Sequence, residues 1–521
     1  MNLDPGSFSE RKRKLLERLL KEKGVQRDPD ASITPRADRE RARQSFLQQG
    51  LWFLDRLDPG KATYNIPCAA RLSGKLDAGA LARTFGALLE RHEILRTRFL
   101  EIDGVPSQVI DPPRSFELST RNLSGMPAPA REAEALRIAT EEARNPFDLA
   151  RGPVFRALLL KLGEIEHVLV ISMHHIVSDG WSMGVFTRDL IRLYEAFAQD
   201  PSRPAPLKPL SIQFADYAEW QRRALTGARY ERLFSFWKTR LEGCEQLVLP
   251  IDRPRSAGSS GAGAHHTFSM TPELTERWRA FSKDAGATPF VALLAAFEVL
   301  LHTYSGQEDI VVGSPVANRN KSELEPLIGY FVNVLPFRTD LGGNPTLLEL
   351  IERVRESVDG VHAHQEMPFS KLVEDLKPPR SPGANPIYQV EFTLLAPEHA
   401  PPVFGYGFRS PVQETHRMAG VTLHPMEVES GVSKFDLVVL LWDAPVGICG
   451  TFEYDPDLFD AATIEALAAR FESLVERLIA VPDARLSTWR EQFAHQTASQ
   501  RRPAKRFQPV RRKLITPEKG T

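Results

Sequence analysis

Cysteine is scarce in this chain. The 521 residues hold three, Cys68, Cys244 and Cys449, too far apart to make a metal-ligand spacing. That usage fits a reduced, cytoplasmic protein without a metal site. Net charge is scarce too: 66 basic residues stand against 67 acidic ones. The balance argues against nucleic acid as the main partner. No apolar run reaches the length of a membrane span, and the N-terminus is too charged for a secretory signal, so no membrane partner is expected. What is present is ordinary for a globular chain, with 42% hydrophobic and 26% charged residues. The length sets a prior of two to four domains.

One stretch stands out from this background. Val168-Leu169-Val170-Ile171-Ser172-Met173 reads as a buried strand. His174 and His175 follow at its mouth, then a turn at Asp179-Gly180, then an amphipathic helix with Phe186, Leu190, Tyr194 and Phe197 near helical spacing. Ser182 is placed to cap that helix. Neighbours on a strand point to opposite faces, so the two histidines are not expected to share a metal ion. One should face a cleft, where a neutral imidazole can move a proton, and the other should pack into the scaffold. Asp179 is suited either to hold a histidine or to pair with a buried arginine. Gly180 offers a backbone free to take positive φ and approach a ligand. A His-His pair alone is a weak signal, and His265-His266 is such a pair with no acid-glycine turn after it. The full pattern His-His-x-x-x-Asp-Gly at a strand end is what raises the first pair above the second.

The flanks look separable from the core. In residues 1–40, Ser7-Phe8-Ser9-Glu10 reads as a capping box for a basic helix striped with Leu15, Leu16, Leu19 and Leu20, and a proline-containing linker follows. Residues 486–521 end in a basic tail from Arg501 to Lys519. Four prolines between Asp200 and Pro209 mark a connection between two halves. Thr271-Pro272 and Thr288-Pro289 each read as a helix start, the second opening a helix apolar all round.

His174-His175-Ile-Val-Ser-Asp179-Gly180 resembles the HHxxxDG signature of condensation domains of nonribosomal peptide synthetases, within the chloramphenicol-acetyltransferase-like superfamily. Further segments resemble that family in order. Ser45-Phe46-Leu47-Gln48-Gln49-Gly50-Leu51-Trp52-Phe53-Leu54 is similar to SxAQxRLWFL, departing at Leu47 and at Gly50, where arginine is usual. Arg91–Phe99 is similar to RHExLRTxF, Asp216–Trp220 to YxDYAxW and Ile328–Asn333 to IGxFVN. His364–Phe369 is similar to HQDxPFE, with Ser370 in place of the glutamate. Ser433-Lys434-Phe435-Asp436-Leu437 also looks like a family segment. Resemblance runs from about Ser45 to Asp483, with no adenylate-forming loop and no carrier attachment serine in view.

The resemblance implies an α/β fold of two chloramphenicol-acetyltransferase-like lobes set in a V, a pseudo-dimer with the active site in a tunnel between them. The expected division is 41–208 for the N-terminal lobe and 209–485 for the C-terminal lobe. It implies an acyltransferase that forms a peptide bond when an acceptor amine attacks a carrier-bound donor thioester. His175 would face the tunnel, as general base or as a group that orients the amine. His174 would be its structural neighbour. Asp179 would pair with an arginine, Arg319 before Arg96. Gly180 would line the site near the donor thioester, Asn333 would sit near the tunnel on the opposing lobe, and Trp181, Ser182 and Tyr64 would shape it. Substrates would arrive on the 4'-phosphopantetheine of donor and acceptor carrier proteins, or on CoA. No intrinsic cofactor is implied, and neighbouring synthetase modules are the expected partners of a monomeric unit. The motif details are most similar to the subtype taking an L-configured donor. Two other readings stand beside this one. The first is a starter or free-standing enzyme that N-acylates or esterifies from acyl-CoA. The second is a non-catalytic recruitment domain of the same fold. The basic ends would serve as docking elements for an acidic carrier or as solvated tails.

Overall fold

Apolar runs become the central strands, and short polar caps start the helices between them. The computed structural model describes residues 32–491, apart from 256–260, 380–384, 396–414, 429 and 445. The basic helix expected near the N-terminus and the tail beyond 491 lie outside the described residues. The first half contributes β1 (Arg41–Arg43), β2 (Asn65–Ser73), β3 (Thr97–Ile102), β4 (Val105–Ile110), β5 (Ser119–Asn122), β6 (Phe155–Lys161) and β7 (Glu166–His174). The second contributes β8 (Ala264–Ser269), β9 (Asp309–Val316), β10 (Asn333–Asp340), β11 (Val390–Leu395), β12 (His416–Met418), β13 (Val421–Met426), β14 (Leu437–Ala444) and β15 (Gly447–Tyr454).

Two six-stranded sheets result, one per lobe. The N-terminal sheet runs β12-β13-β2-β7-β6-β5 and the C-terminal sheet β10-β9-β11-β14-β15-β8, with β1-β4-β3 as a small third sheet. Both faces of β7 are covered, which is why Val168 to Met173 reads as a continuous apolar run. Helices α1 (Phe46–Leu57), α2 (Ala78–Arg91) and α3 (Gly180–Gln199) belong to the first lobe. Helices α4 (Pro289–Ser305), α5 (Leu347–Ala363) and α6 (Phe369–Leu376) belong to the second. Thr271 and Thr288 cap their helices through the backbone N–H groups of Leu274 and Val291. Every residue of α4 from Val291 to His302 is buried, as its all-round apolarity requires. Among the described residues no single helix is long and apolar enough to cross a membrane.

The expected boundaries shift in four places. Phe214, Tyr217, Trp220 and Ala224 pack into the N-terminal core, while Leu225 and Leu233 pack into the C-terminal one. The passage between lobes therefore lies at 224–225, not in the proline-rich stretch at 200–209. The division at 208/209 also fails for β12 and β13, which pair into the N-terminal sheet with β13 antiparallel to β2. At the N-terminal end, Ile33 is buried and Arg36 forms ion pairs with Glu93 and buried Asp216, so 32–40 is anchored on the first lobe rather than a free linker. Leu486 and Trp489 are buried as well, so the C-terminal lobe extends past 485.

Candidate active site

The lobes face each other across a cavity of about 2060 Å³. His175, Asp179, Gly180, Trp181 and Tyr64 line it from the N-terminal lobe, and Tyr330, Val332, Glu391, Lys434 and Glu453 from the other half of the chain. Its position follows from β7. The strand ends at His174, a single 3-10 turn spans His175–Val177, and α3 begins at Gly180.

The two histidines divide as strand neighbours should. His174 is buried away from the cavity, and its Nδ1 accepts the N–H of Ile176 at 3.1 Å. His175 lines the cavity. Its N–H donates to Tyr64 O at 2.7 Å, and its Nδ1 lies 2.9 Å from Ser178 O. A carbonyl only accepts, so Nδ1 carries the proton and Nε2 is the nitrogen left to the cavity. Burial, then the charge of Lys434, pulls His175 down to about 3. The ring is a neutral acceptor at ordinary pH, with Tyr330 edge-on at 5.1 Å between centroids.

Asp179, not Ser182, is the N-cap of α3. Its Oδ1 accepts from Ser182 N at 2.8 Å, Ser182 Oγ at 2.7 Å and Arg319 Nη2 at 3.3 Å. Its Oδ2 accepts from Phe331 N at 2.9 Å and Val332 N at 3.2 Å. Arg319 reaches across from the other half, bonds Leu324 O and Leu327 O, and lies over the Phe331 ring at 4.0 Å. Both members of the ion pair are all but sealed from solvent. The runner-up, Arg96, is spent elsewhere, on the carbonyls of Leu89 and Asp111. This clamp explains the IGxFVN-like segment. A Cβ on Gly329 would lie 2.0 Å from Phe214 Cδ2, so only glycine lets that loop close on Asp179.

Three expected roles change. Gly180 opens α3, where the backbone is helical, so positive φ is not its contribution. Ser182 is buried beneath the cavity wall, its Oγ within 2.8 Å of Arg319 Nη2 and 2.9 Å of Gly329 O. Asn333 is fully buried and turned from the cavity. It donates to Gln365 O and Met367 O and accepts from Phe369 N, stapling β10 to the start of α6. Trp181 does line the cavity, its Nε1 donating to Glu325 O at 3.0 Å.

Residues to which the motifs assign no role complete the site. Tyr330 stands at the variable position of its motif. Lys434, over the Tyr64 ring at 5.7 Å, enters the sequence reading only as part of a family segment. Glu391 and Glu453 belong to no motif. Alternation along β11 puts Glu391 on the face opposite buried Val390 and Phe392, and nothing local in the sequence tells that this face lines a cavity. Gly50 and Ser370, two of the departures from the family pattern, meet across the lobes: a Cβ on Gly50 would lie 2.8 Å from Ser370 Cβ, and both line the cavity. Ser370 Oγ donates to Phe46 O at 2.7 Å, joining α6 to α1.

The Condensation domain family model matches residues 39–496. A linear gramicidin synthase component of Brevibacillus parabrevis is 43% identical over 461 residues, 88% of this chain and 9% of that protein. Phosphinothricin tripeptide synthetase PhsC of Streptomyces viridochromogenes is 37% identical, covering 87% of this chain and 41% of that one. The chain thus spans less than half the length of these relatives. Among solved structures, the X-domain from teicoplanin biosynthesis superposes with a TM-score of 0.78 at 30% identity, over 88% of this chain and 99% of that one. The first condensation domain of the calcium-dependent antibiotic synthetase, in complex with a substrate analogue, gives 0.67 at 25% identity, over 86% and 98%.

Proposed function

The chain belongs to the condensation-domain family, and from that premise we propose that it joins an acceptor amine to a donor acyl thioester inside the cavity between its lobes. The observation that carries this reading is His175, a neutral imidazole with Nδ1 engaged at Ser178 O and Nε2 left to the cavity. In the reaction the amine nitrogen attacks the thioester carbonyl, a C–N bond forms, the C–S bond breaks, and the thiolate leaves and takes up a proton. A thiol of pKa roughly 8.5 is a good leaving group, so little chemical activation is needed. Holding amine and carbonyl in register supplies up to ~7–11 kcal/mol in favourable cases. A ring held down to about 3 is poorly matched to store the amine's proton, which favours orientation by Nε2 over general-base catalysis. Asp179 and Arg319 act at one remove, fixing the loop after the histidines against the opposite lobe.

Both substrates would be delivered on carrier-bound phosphopantetheine, in keeping with relatives that are much longer synthetases. The test presents the purified chain with pairs of donor-loaded and acceptor-loaded carriers, with acyl-CoA as a further donor, and follows amide products by mass spectrometry. Amide formation that disappears in His175→Ala supports the proposal, and absence of product across the panel overturns it. A recruitment role is the second reading, favoured by the likeness to an X-domain also solved in complex with OxyB. Capture of a partner without turnover would support it.

A further inference from the structure

The C-terminal wall of the cavity carries charges that the proposed chemistry does not use. On β11, β14 and β15, Glu391 lies in register with Val438, and Val438 with Glu453. All three line the cavity, so two acids flank one apolar residue on the same sheet face. Lys434 enters just before β14. It is exposed, and the cavity it lines is where that surface opens. Among the described residues no hydrogen bond joins Lys434 to either carboxylate through its ammonium; the three groups act on one another through space. Enclosure between the cavity walls, rather than burial within the protein, raises both acids above the usual carboxylate range and lowers Lys434.

The count is two acids against one base. Glu453 is the better compensated acid, since it is the stronger influence on the Lys434 ammonium. Glu391 is the surplus: it feels the same Lys434 ammonium only through space. Apart from Asp179, the other charged lining groups stand on α3 and α6: Arg188, Arg192 and Glu374 are exposed, Glu195 is half-buried, and Lys371 is paired with Asp375. An anion entering here would meet two carboxylates. A cation would neutralise the surplus one, relieving the cost of an uncompensated charge in a water-poor site.

We propose that Glu391 makes this wall a subsite for a cationic side chain, so that the chain favours an acyl or aminoacyl group ending in an ammonium or guanidinium. The source of that group rests on the condensing role proposed above, but the test needs no turnover. The probes are the pantetheine amides of Nα-acetyl-lysine and Nα-acetyl-norleucine, which differ by the terminal ammonium and cannot react, titrated calorimetrically into the full chain. The wild type is expected to bind the lysyl probe about tenfold more tightly, as one charge-assisted hydrogen bond provides. Glu391→Gln should bring the ratio below about twofold, and Lys434→Met, which removes the competing cation, should raise it. Failure of the wild type to prefer or to bind the lysyl probe overturns the subsite, as does a preference that survives Glu391→Gln. Should Glu391→Gln not fold, an unchanged or smaller ratio in Lys434→Met does the same. A selective chain that makes no amide in the carrier assay would instead sink the condensing role and leave the subsite standing.

Discussion

The two walls of the cavity hold their charges in opposite ways. On the N-terminal side, Asp179 is met by five donors, from Arg319, Phe331, Val332 and twice from Ser182, and none of its capacity is left for a ligand. On the C-terminal side, Glu391, Glu453 and Lys434 share a surface without closing on one another. The first arrangement builds a wall and the second leaves one receptive. A buried charge with every bond satisfied is a structural part, whereas an enclosed charge with bonds to spare is costly until something arrives.

The comparison breaks first at its strongest point. Asp179→Ala strands Arg319 and four further donors, and breaking a buried pair costs ~3–5 kcal/mol. Chemical denaturation should show that loss in Asp179→Ala and in Arg319→Ala, with activity falling alongside. Melts that match wild type would mean the clamp is not a buried ion pair. His175→Ala should separate function from stability: a drop of ~10²–10⁴-fold in amide formation, with an unchanged melting temperature. Turnover near wild type would remove His175 from the mechanism.

Acid titration tests the enclosure of the same two histidines. Both are held down to about 3, against an ordinary value near 6.5. Between those limits the unfolded chain binds protons that the folded chain does not. Stability should therefore rise as pH climbs from about 3 to about 6.5, by up to ~1.4 kcal/mol per pH unit for each group. Denaturation midpoints of wild type and His175→Gln compared across this window should show a shallower slope in the variant.

Smaller effects sharpen the picture. Gly50→Ala drives a Cβ to 2.8 Å from Ser370 Cβ, an overpacking costing ~1–3 kcal/mol, and Ser370→Gly in the same chain should recover much of it. Additive losses in the double variant would show that the two helices yield independently. The smallest change is expected of Lys434→Met. Without a contact ion pair to lose, its stability should move by less than ~1 kcal/mol, against the several lost in Arg319→Ala. Equal losses at the two cations would erase the distinction between the walls.

How much of this is readable in the sequence follows the same division. His174, His175, Asp179 and Gly180 lie in one contiguous stretch, so strand alternation and a turn suffice to separate the histidines. The reach of Asp179 to Arg319 comes from motif position. The acids of the opposite wall are not readable, because Glu391, Val438 and Glu453 are neighbours only through a strand register that no local pattern reveals. Asn333 and Ser182 carry the right addresses and the wrong orientations, since adjacency to a cavity in sequence does not say which way a side chain turns. The lobe boundary is misplaced for a related reason. Prolines mark a bend in the chain, but the packing of Phe214 to Ala224 decides which core the next helix joins.

The return of β12 and β13 to the first sheet bears on anyone who would recombine such domains by halves. After β11 the chain leaves the second lobe, lends two strands to the first, and goes back for β14. Leu324, Leu327, Ile328 and Phe331, also from the second half, are buried in the first core. A chimera joined at 224–225 would take its donor's strands into a foreign sheet and its donor's Arg319 loop onto a foreign Asp179. No single crossover point among the described residues exchanges one lobe and leaves the other intact, so parental pairs must be matched at both seams at once.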